Sequence, residues 1–153
     1  MQLTSETTIV FTRVFNAPPE RVFDAWTRCE DLMQWWGPRT WPLAHCDMDL
    51  RPGGTWHYMM RGPEGEESWG IWTYREIDRP RRIAYTDSFS DKDRAVIPPT
   101  SDGDVTFEAK DGGTYVTITA TYPRAEDLKT VIDMGMEEGL EETLDRLVEL
   151  LAK

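Results

Sequence analysis

The strongest constraint on the fold lies at the end of the chain. From Arg124 to Lys153 an apolar residue returns every three or four positions, at Leu128, Ile132, Met136, Leu140, Leu144, Leu147 and Leu151. That is the period of one face of an α-helix, and the stretch predicts one long helix. Glu137, Glu138, Glu141, Glu142, Asp145 and Glu149 form the opposite side and are expected in water. A helix with a single apolar stripe needs an apolar surface to lie against.

Trp41 to Tyr122 offers that surface, because it reads as strands and turns. "LAHCDMDL" alternates, with Cys46, Met48 and Leu50 opposite Asp47 and Asp49. "TWHYMMR" puts Trp56, Tyr58 and Met60 on one face. "SWGIWTYREI" is apolar on both faces; Gly70, Trp72 and Tyr74 are taken as inward, since Thr73 and Arg75 then meet water. "RPRRIAYTDSF" follows, then an irregular acidic, proline-bearing loop from Ser90 to Asp104. "VTFEA" and "TYVTITATY" flank Asp111-Gly112-Gly113, a strong hairpin turn. Before all this, "TTIVFTRVFNA" reads as a strand. "APPERVFDAWT" and "CEDLMQWW" read as two short helices, the second ended by Gly37-Pro38. The order is strand, two short helices, six strands, long helix. It predicts an α+β domain, a curved antiparallel sheet gripping the last helix, with residues 1–153 as one domain.

Charge and composition narrow the partners. A net charge of −11 disfavours nucleic acid and anionic membranes. No stretch reaches the ~20 apolar residues of a membrane span, and the N-terminus has no signal-peptide pattern. Cys29 and Cys46 have no metal-ligand spacing and are read as reduced thiols of a cytoplasmic protein, with a disulfide between them left open by the sequence.

The strings "FNAPPERVFDAWTRCEDLMQWWGP", "DMDLRPGGTWHYMMRGPEG", "REIDRPRRIAYTD" and "GMEEGLEETLDRLVELL" together resemble START-like domains. This is the SRPBCC or helix-grip superfamily, and the likeness is to the branch resembling the activator of heat-shock-protein-90 ATPase, a link to stress response. It runs from Thr8 to Leu151. It implies a sheet of about seven strands wrapped around the last helix, with a cavity between them. Members of the superfamily bind lipids, steroids and polyketides, and some catalyse cyclisation or dehydration. The activator itself has an additional N-terminal domain, whereas this chain is expected to begin directly at the START-like part.

Candidate site residues follow from inward parity. Trp35 and Trp36 end a helix near one rim; one ring is expected as a core anchor and the other at the cavity opening. Trp56, Tyr58 and Met60 come from one strand, Trp72 and Tyr74 from the next, Tyr85 and Phe107 from two others. On the long helix, Gly135, Gly139 and Thr143 share a face. An interior glycine costs roughly 1 kcal/mol relative to alanine. Either the backbone closely approaches the sheet there or the small residues hollow out space, with Met134, Met136 and Leu140 adapting around a ligand. Asp87 shares parity with Tyr85 and is the one weak catalytic candidate; it also suits a structural, hydrogen-bonded acid. His45 and His57 are expected to point outward. No metal-ligand constellation, cofactor motif, HExxH or GxSxG occurs.

Three readings of function stand. The first is binding of a small apolar or amphipathic molecule by a monomer or homodimer without cofactor. The second is an enzyme, cyclase-, dehydratase- or hydrolase-like, on a cyclic or polyketide-like substrate. The third is an interaction module acting on a chaperone ATPase.

Overall fold

The alternating middle of the chain resolves into an eight-stranded antiparallel sheet in a computed structural model that describes residues 1–153. β1 (Gln2–Leu3) and β2 (Thr8–Phe15) precede α1 (Pro19–Thr27) and α2 (Cys29–Trp35). The chain then runs β3 (Leu43–Met48), β4 (Thr55–Arg61), β5 (Glu67–Asp78), β6 (Arg82–Phe89), β7 (Ile97–Lys110) and β8 (Gly113–Thr121). It ends in α3 (Ala125–Asp133) and α4 (Met136–Leu151).

The spatial order is β1-β2-β8-β7-β6-β5-β4-β3. Every neighbour from β3 to β8 is a sequence neighbour, so that part is a meander. The one long excursion is α1–α2, which carries the chain from β2 to the far edge at β3. There the meander starts back and closes against β2. α1, α2 and α4 cover one face of the curved, open sheet, which is the helix-grip arrangement. The short strand β1 is an eighth strand beyond the seven the resemblance implies.

The aromatic core forms where α1 and α2 meet the sheet. Trp26 packs edge-to-face on Trp35 at 4.7 Å and on Phe107 at 5.4 Å between centroids. Phe23 reaches the same Phe107 at 5.3 Å. Such pairs add about 0.5–1.5 kcal/mol each beyond area burial. Leu144, Leu147 and Leu150 of α4 join this cluster. A second, smaller cluster joins Ile9 and Phe11 of β2 to Leu128 and Val131 of α3. Ile118 and Leu140 pack against both clusters.

Four expectations need correction. The C-terminal helix is not continuous: α3 and α4 are separate, and Gly135 between them has φ +88°, a left-handed conformation that stops a helix. Gly135 is therefore a break and not a mid-helix gap. The stretch Ser90 to Asp104 is not loop throughout, since β7 begins at Ile97 and pairs with β6 as far back as Phe89. His57 does not face water. It is 2% exposed, stacks on Trp69 at 4.8 Å, and its Nε2 lies 2.8 Å from the Asp91 carbonyl. Strand parity put it correctly on the face away from α4, but the loop after β6 covers that face. His45 is exposed. Finally, Cys29 and Cys46 are bonded to each other, not free thiols. α2 lies against β3 and brings the two Cα atoms to 5.8 Å, within disulfide reach.

Candidate functional site

A hollow of about 290 Å³ lies at the junction of the two apolar clusters, between the sheet and α4. The sheet fixes two of the rings that line it. Tyr58 of β4 stands directly opposite Gly70 of β5, and Tyr85 of β6 directly opposite Gly103 of β7. Each tyrosine ring lies down over its glycine. A Cβ at position 70 would fall 2.5 Å from the Tyr58 hydroxyl, and one at 103 would fall 2.2 Å from the Tyr85 ring. Cross-strand aromatic–glycine pairs of this kind cover the bare backbone. Here they also help hold two large rings in place, and each ring is stacked on a tryptophan, Tyr58 on Trp56 at 4.3 Å and Tyr85 on Trp72 at 3.6 Å.

The helix leaves room as well, since Gly139 lines the hollow and has almost nothing near it. A Cβ on Gly139 would touch only Pro38 Cγ at 3.7 Å, an ordinary contact. One on Gly135 would meet only Glu138, at 3.9 Å. Met136, Gly139, Leu140 and Thr143 form the roof, and the Thr143 hydroxyl donates back to the Gly139 carbonyl at 2.7 Å.

The paired tryptophans divide their roles. Trp35 is fully buried and its Nε1–H donates to the Ala25 carbonyl at 2.9 Å, tying α2 to α1. Trp36 is half-buried and lines the hollow. Its ring meets Trp56 at 5.0 Å and Trp72 at 5.7 Å, both edge-on. The segment after Trp36 is held from α4: the Arg146 guanidinium donates to the carbonyls of Gln34 and Gly37, each at 2.8 Å. A cation among the last carbonyls of α2 is favourably placed.

Of the aromatic and methionine candidates, Trp36, Tyr58, Met60, Trp72 and Tyr85 line the hollow. Trp35, Trp56, Tyr74 and Phe107 sit behind it in the core. Trp56 Nε1–H points to Cys46 Sγ at 3.2 Å. Trp72 Nε1 and Tyr74 Oη are buried without a hydrogen-bond partner. Ile9, Phe11, Ile118 and Tyr122 were not among the candidate site residues, yet they line the wall from β2 and from β8 and its end. The signal was available for Ile118 and Tyr122, which share parity on "TYVTITATY".

Asp87 is the one ionisable acid in this lining, and no Lys, Arg or His accompanies it. Burial pushes its carboxyl from an ordinary 3.8 up to about 7, against the opposing pull of a backbone hydrogen bond at Ser88. The phenols of Tyr58 and Tyr85 are raised well above 10, first by burial and next by the Asp87 charge. Tyr122 is raised to about 12 for the same two reasons. Asp87 thus exchanges its proton near neutrality while its phenolic neighbours stay neutral. It also borders a smaller side pocket of about 90 Å³ shared with Tyr58, Met60 and Tyr122. No group of three His, Cys, Asp or Glu side chains comes together to hold a metal, and no helix is long and apolar enough to cross a membrane.

This architecture recurs in solved structures. Protein Ms6760 from Mycobacterium smegmatis is 36% identical, with 95% of this chain and 91% of that one covered at a TM-score of 0.88. A protein from Staphylococcus epidermidis is 34% identical, with 98% and 92% covered at 0.86. One from Arthrobacter aurescens is 29% identical, with 96% and 87% covered at 0.90. No functionally curated protein matches. The family described as activator of Hsp90 ATPase homolog 1-like protein matches residues 16–152, nearly the whole chain. With that match and the helix-grip fold, the chain belongs to the activator of Hsp90 ATPase homolog 1-like family, within the START-like group.

Proposed function

We propose that the protein binds a small apolar or amphipathic molecule in the hollow between sheet and α4. The observation carrying this reading is the hollow itself, about 290 Å³ and walled mainly by apolar and aromatic side chains around one carboxyl. Ligand sites have that composition, with few polar groups fixing orientation. Trp36, Tyr58, Met60, Trp72 and Tyr85 are the proposed contacts from below and beside the ligand. Met136, Gly139 and Leu140 are the proposed contacts from above. Trp35, Trp56, Tyr74 and Phe107 hold those rings in place. The chain acts as one domain, as monomer or homodimer, with no cofactor. Titration with N-phenyl-1-naphthylamine, a neutral fluorescent probe, is the test: saturable binding supports the reading, and a signal that never saturates contradicts it.

A second reading has its own observation. A carboxyl inside the hollow with a pKa of about 7 suits a general acid or base. Asp87 would then serve an enzyme acting on a cyclic or polyketide-like substrate. Asp87→Asn should abolish turnover of such a substrate with the fold intact; unchanged turnover removes this reading. Modulation of a chaperone ATPase is supported by family membership alone, which is analogy and not a site argument. An ATPase rate unmoved by saturating protein removes it.

A cytoplasmic location belongs to the same proposal. The Cys29–Cys46 bond stands against that location, because a glutathione-reducing compartment holds such a pair as thiols. Alkylation of intact cells before extraction counts them: two trapped thiols support the location, and none argues against it.

A further inference from the structure

The hollow has an unusual imbalance of charge. Its wall holds one carboxyl, Asp87, and no basic group. Asp87 takes part in no ion pair, although Asp104 on the neighbouring strand is matched by Arg82 at 2.5 Å. Asp87 is half-buried, and a carboxylate partly withdrawn from water without a partner ion is costly. Trp36, Tyr58, Trp72, Tyr85 and Tyr122 line the same hollow. Tyr58, Tyr85 and Tyr122 lie close enough that the Asp87 charge opposes ionisation of each phenol.

Resting on the ligand-binding reading above, we propose that the ligand of this hollow is a small organic cation, a protonated amine on an apolar skeleton, with its nitrogen against Asp87 and its hydrocarbon under Met136 and Leu140. The two halves of such a molecule match the two halves of the site. The amine supplies the missing counter-charge. The skeleton fills the apolar part near Ile9, Phe11 and Leu140. The protein's net charge of −11 also draws cations toward it.

Preference for the amine depends on pH through Asp87. The titratable groups facing it are Tyr58 from β4, Tyr85 from β6 and Tyr122 after β8, all neutral near pH 7. β7 adds only Asp104, whose charge reaches Tyr85. α4 and the end of α2 line the hollow with no ionisable group. Discrimination therefore rises as pH passes through about 7, where the carboxyl ionises.

Three probes of one shape separate the possibilities: 2-naphthylmethylamine, 2-naphthylmethanol and 2-naphthoate, titrated calorimetrically into the whole protein at high salt. Near pH 8 the amine should bind about tenfold or more tighter than the alcohol, a margin of ~1.4 kcal/mol. Salt should leave that margin largely intact, since a buried pair is weakly screened whereas attraction to the acidic surface is not. The margin should shrink below pH 6 in the unmodified protein, which needs no variant. Asp87→Asn should bring the amine-to-alcohol ratio near one. Equal binding of amine and alcohol, tightest binding of the carboxylate, or a pH-independent ratio overturns the cation assignment while leaving ligand binding standing. Failure of all three probes to bind overturns both.

Discussion

Tyr85 lies face to face with Trp72, ring centroids 3.6 Å apart and planes 4° from parallel. Below, the same tyrosine covers Gly103. Its ring is thus fixed from two sides, and it forms part of the floor of the hollow. The place of this ring is set by a strand residue that lacks a side chain and by the indole stacked on it.

That geometry ranks four glycines. Gly103→Ala should force Tyr85 upward, costing about 1–3 kcal/mol as overpacking does, and should weaken probe binding. Gly70→Ala should act the same way through Tyr58. Gly139→Ala should be neutral or stabilising by up to about 1 kcal/mol, because helix propensity improves and the new methyl touches only Pro38. Gly135→Ala should destabilise by about 1–2 kcal/mol through its left-handed backbone, with binding unchanged. Urea melts and probe titrations on the four variants check the order.

Asp87 links stability to pH in a defined direction. Its carboxyl holds a proton in the folded protein up to about 7, whereas in the unfolded chain it loses it near 3.8. Between those values the folded state binds the extra proton, so this group's contribution to stability falls as pH rises and levels off above about 7. The fall is on the order of 2–4 kcal/mol. Asp87→Asn removes it. The variant's stability relative to the parent should therefore improve from pH 5 to pH 8. Urea melts at both values give the difference, and an equal difference at each contradicts the half-buried, unpaired acid.

The adjacent tryptophans should separate cleanly. Trp35→Phe loses the hydrogen bond to Ala25 and leaves a gap, and should cost about 2 kcal/mol or more. Trp36→Phe should cost less than about 1 kcal/mol, since the ring is only half-buried, yet weaken probe binding. Thermal melts paired with titrations distinguish the two.

The bond between Cys29 and Cys46 closes a loop of 17 residues. The chain-entropy account gives about 3 kcal/mol for a loop of this length. Replacing both cysteines by serine should lower stability by about 2–4 kcal/mol in non-reducing buffer. A reductant should lower the parent's stability by a similar amount and leave the variant's unmoved.

Local periodicity carried most of the fold. The spacing from Leu128 to Leu151 announced helix, and alternation in "TYVTITATY" and "TWHYMMR" announced strands and their inward faces. Tyr85 likewise gave Asp87 its direction. What stayed hidden depended on pairing between distant residues. The stripe keeps helical spacing across Gly135, so nothing in the period marks the break. Gly70 and Gly103 acquire their role only once register sets Tyr58 and Tyr85 opposite them. The disulfide depends on how α2 docks against β3. For His57, alternation named the face of the sheet, but not the loop around Asp91 that closes over it.

The central claim is that a ligand enters the hollow lined by Trp36, Tyr58, Trp72 and Tyr85. A ¹H–¹⁵N titration of the uniformly labelled protein with 2-naphthylmethanol tests it most directly through the indole N–H signals. The account predicts saturable shifts at Trp36 and Trp72, which line the hollow, with Trp35 unmoved behind its bond to Ala25. Absence of saturable shifts at Trp36 and Trp72, or shifts confined to Trp35, would contradict it.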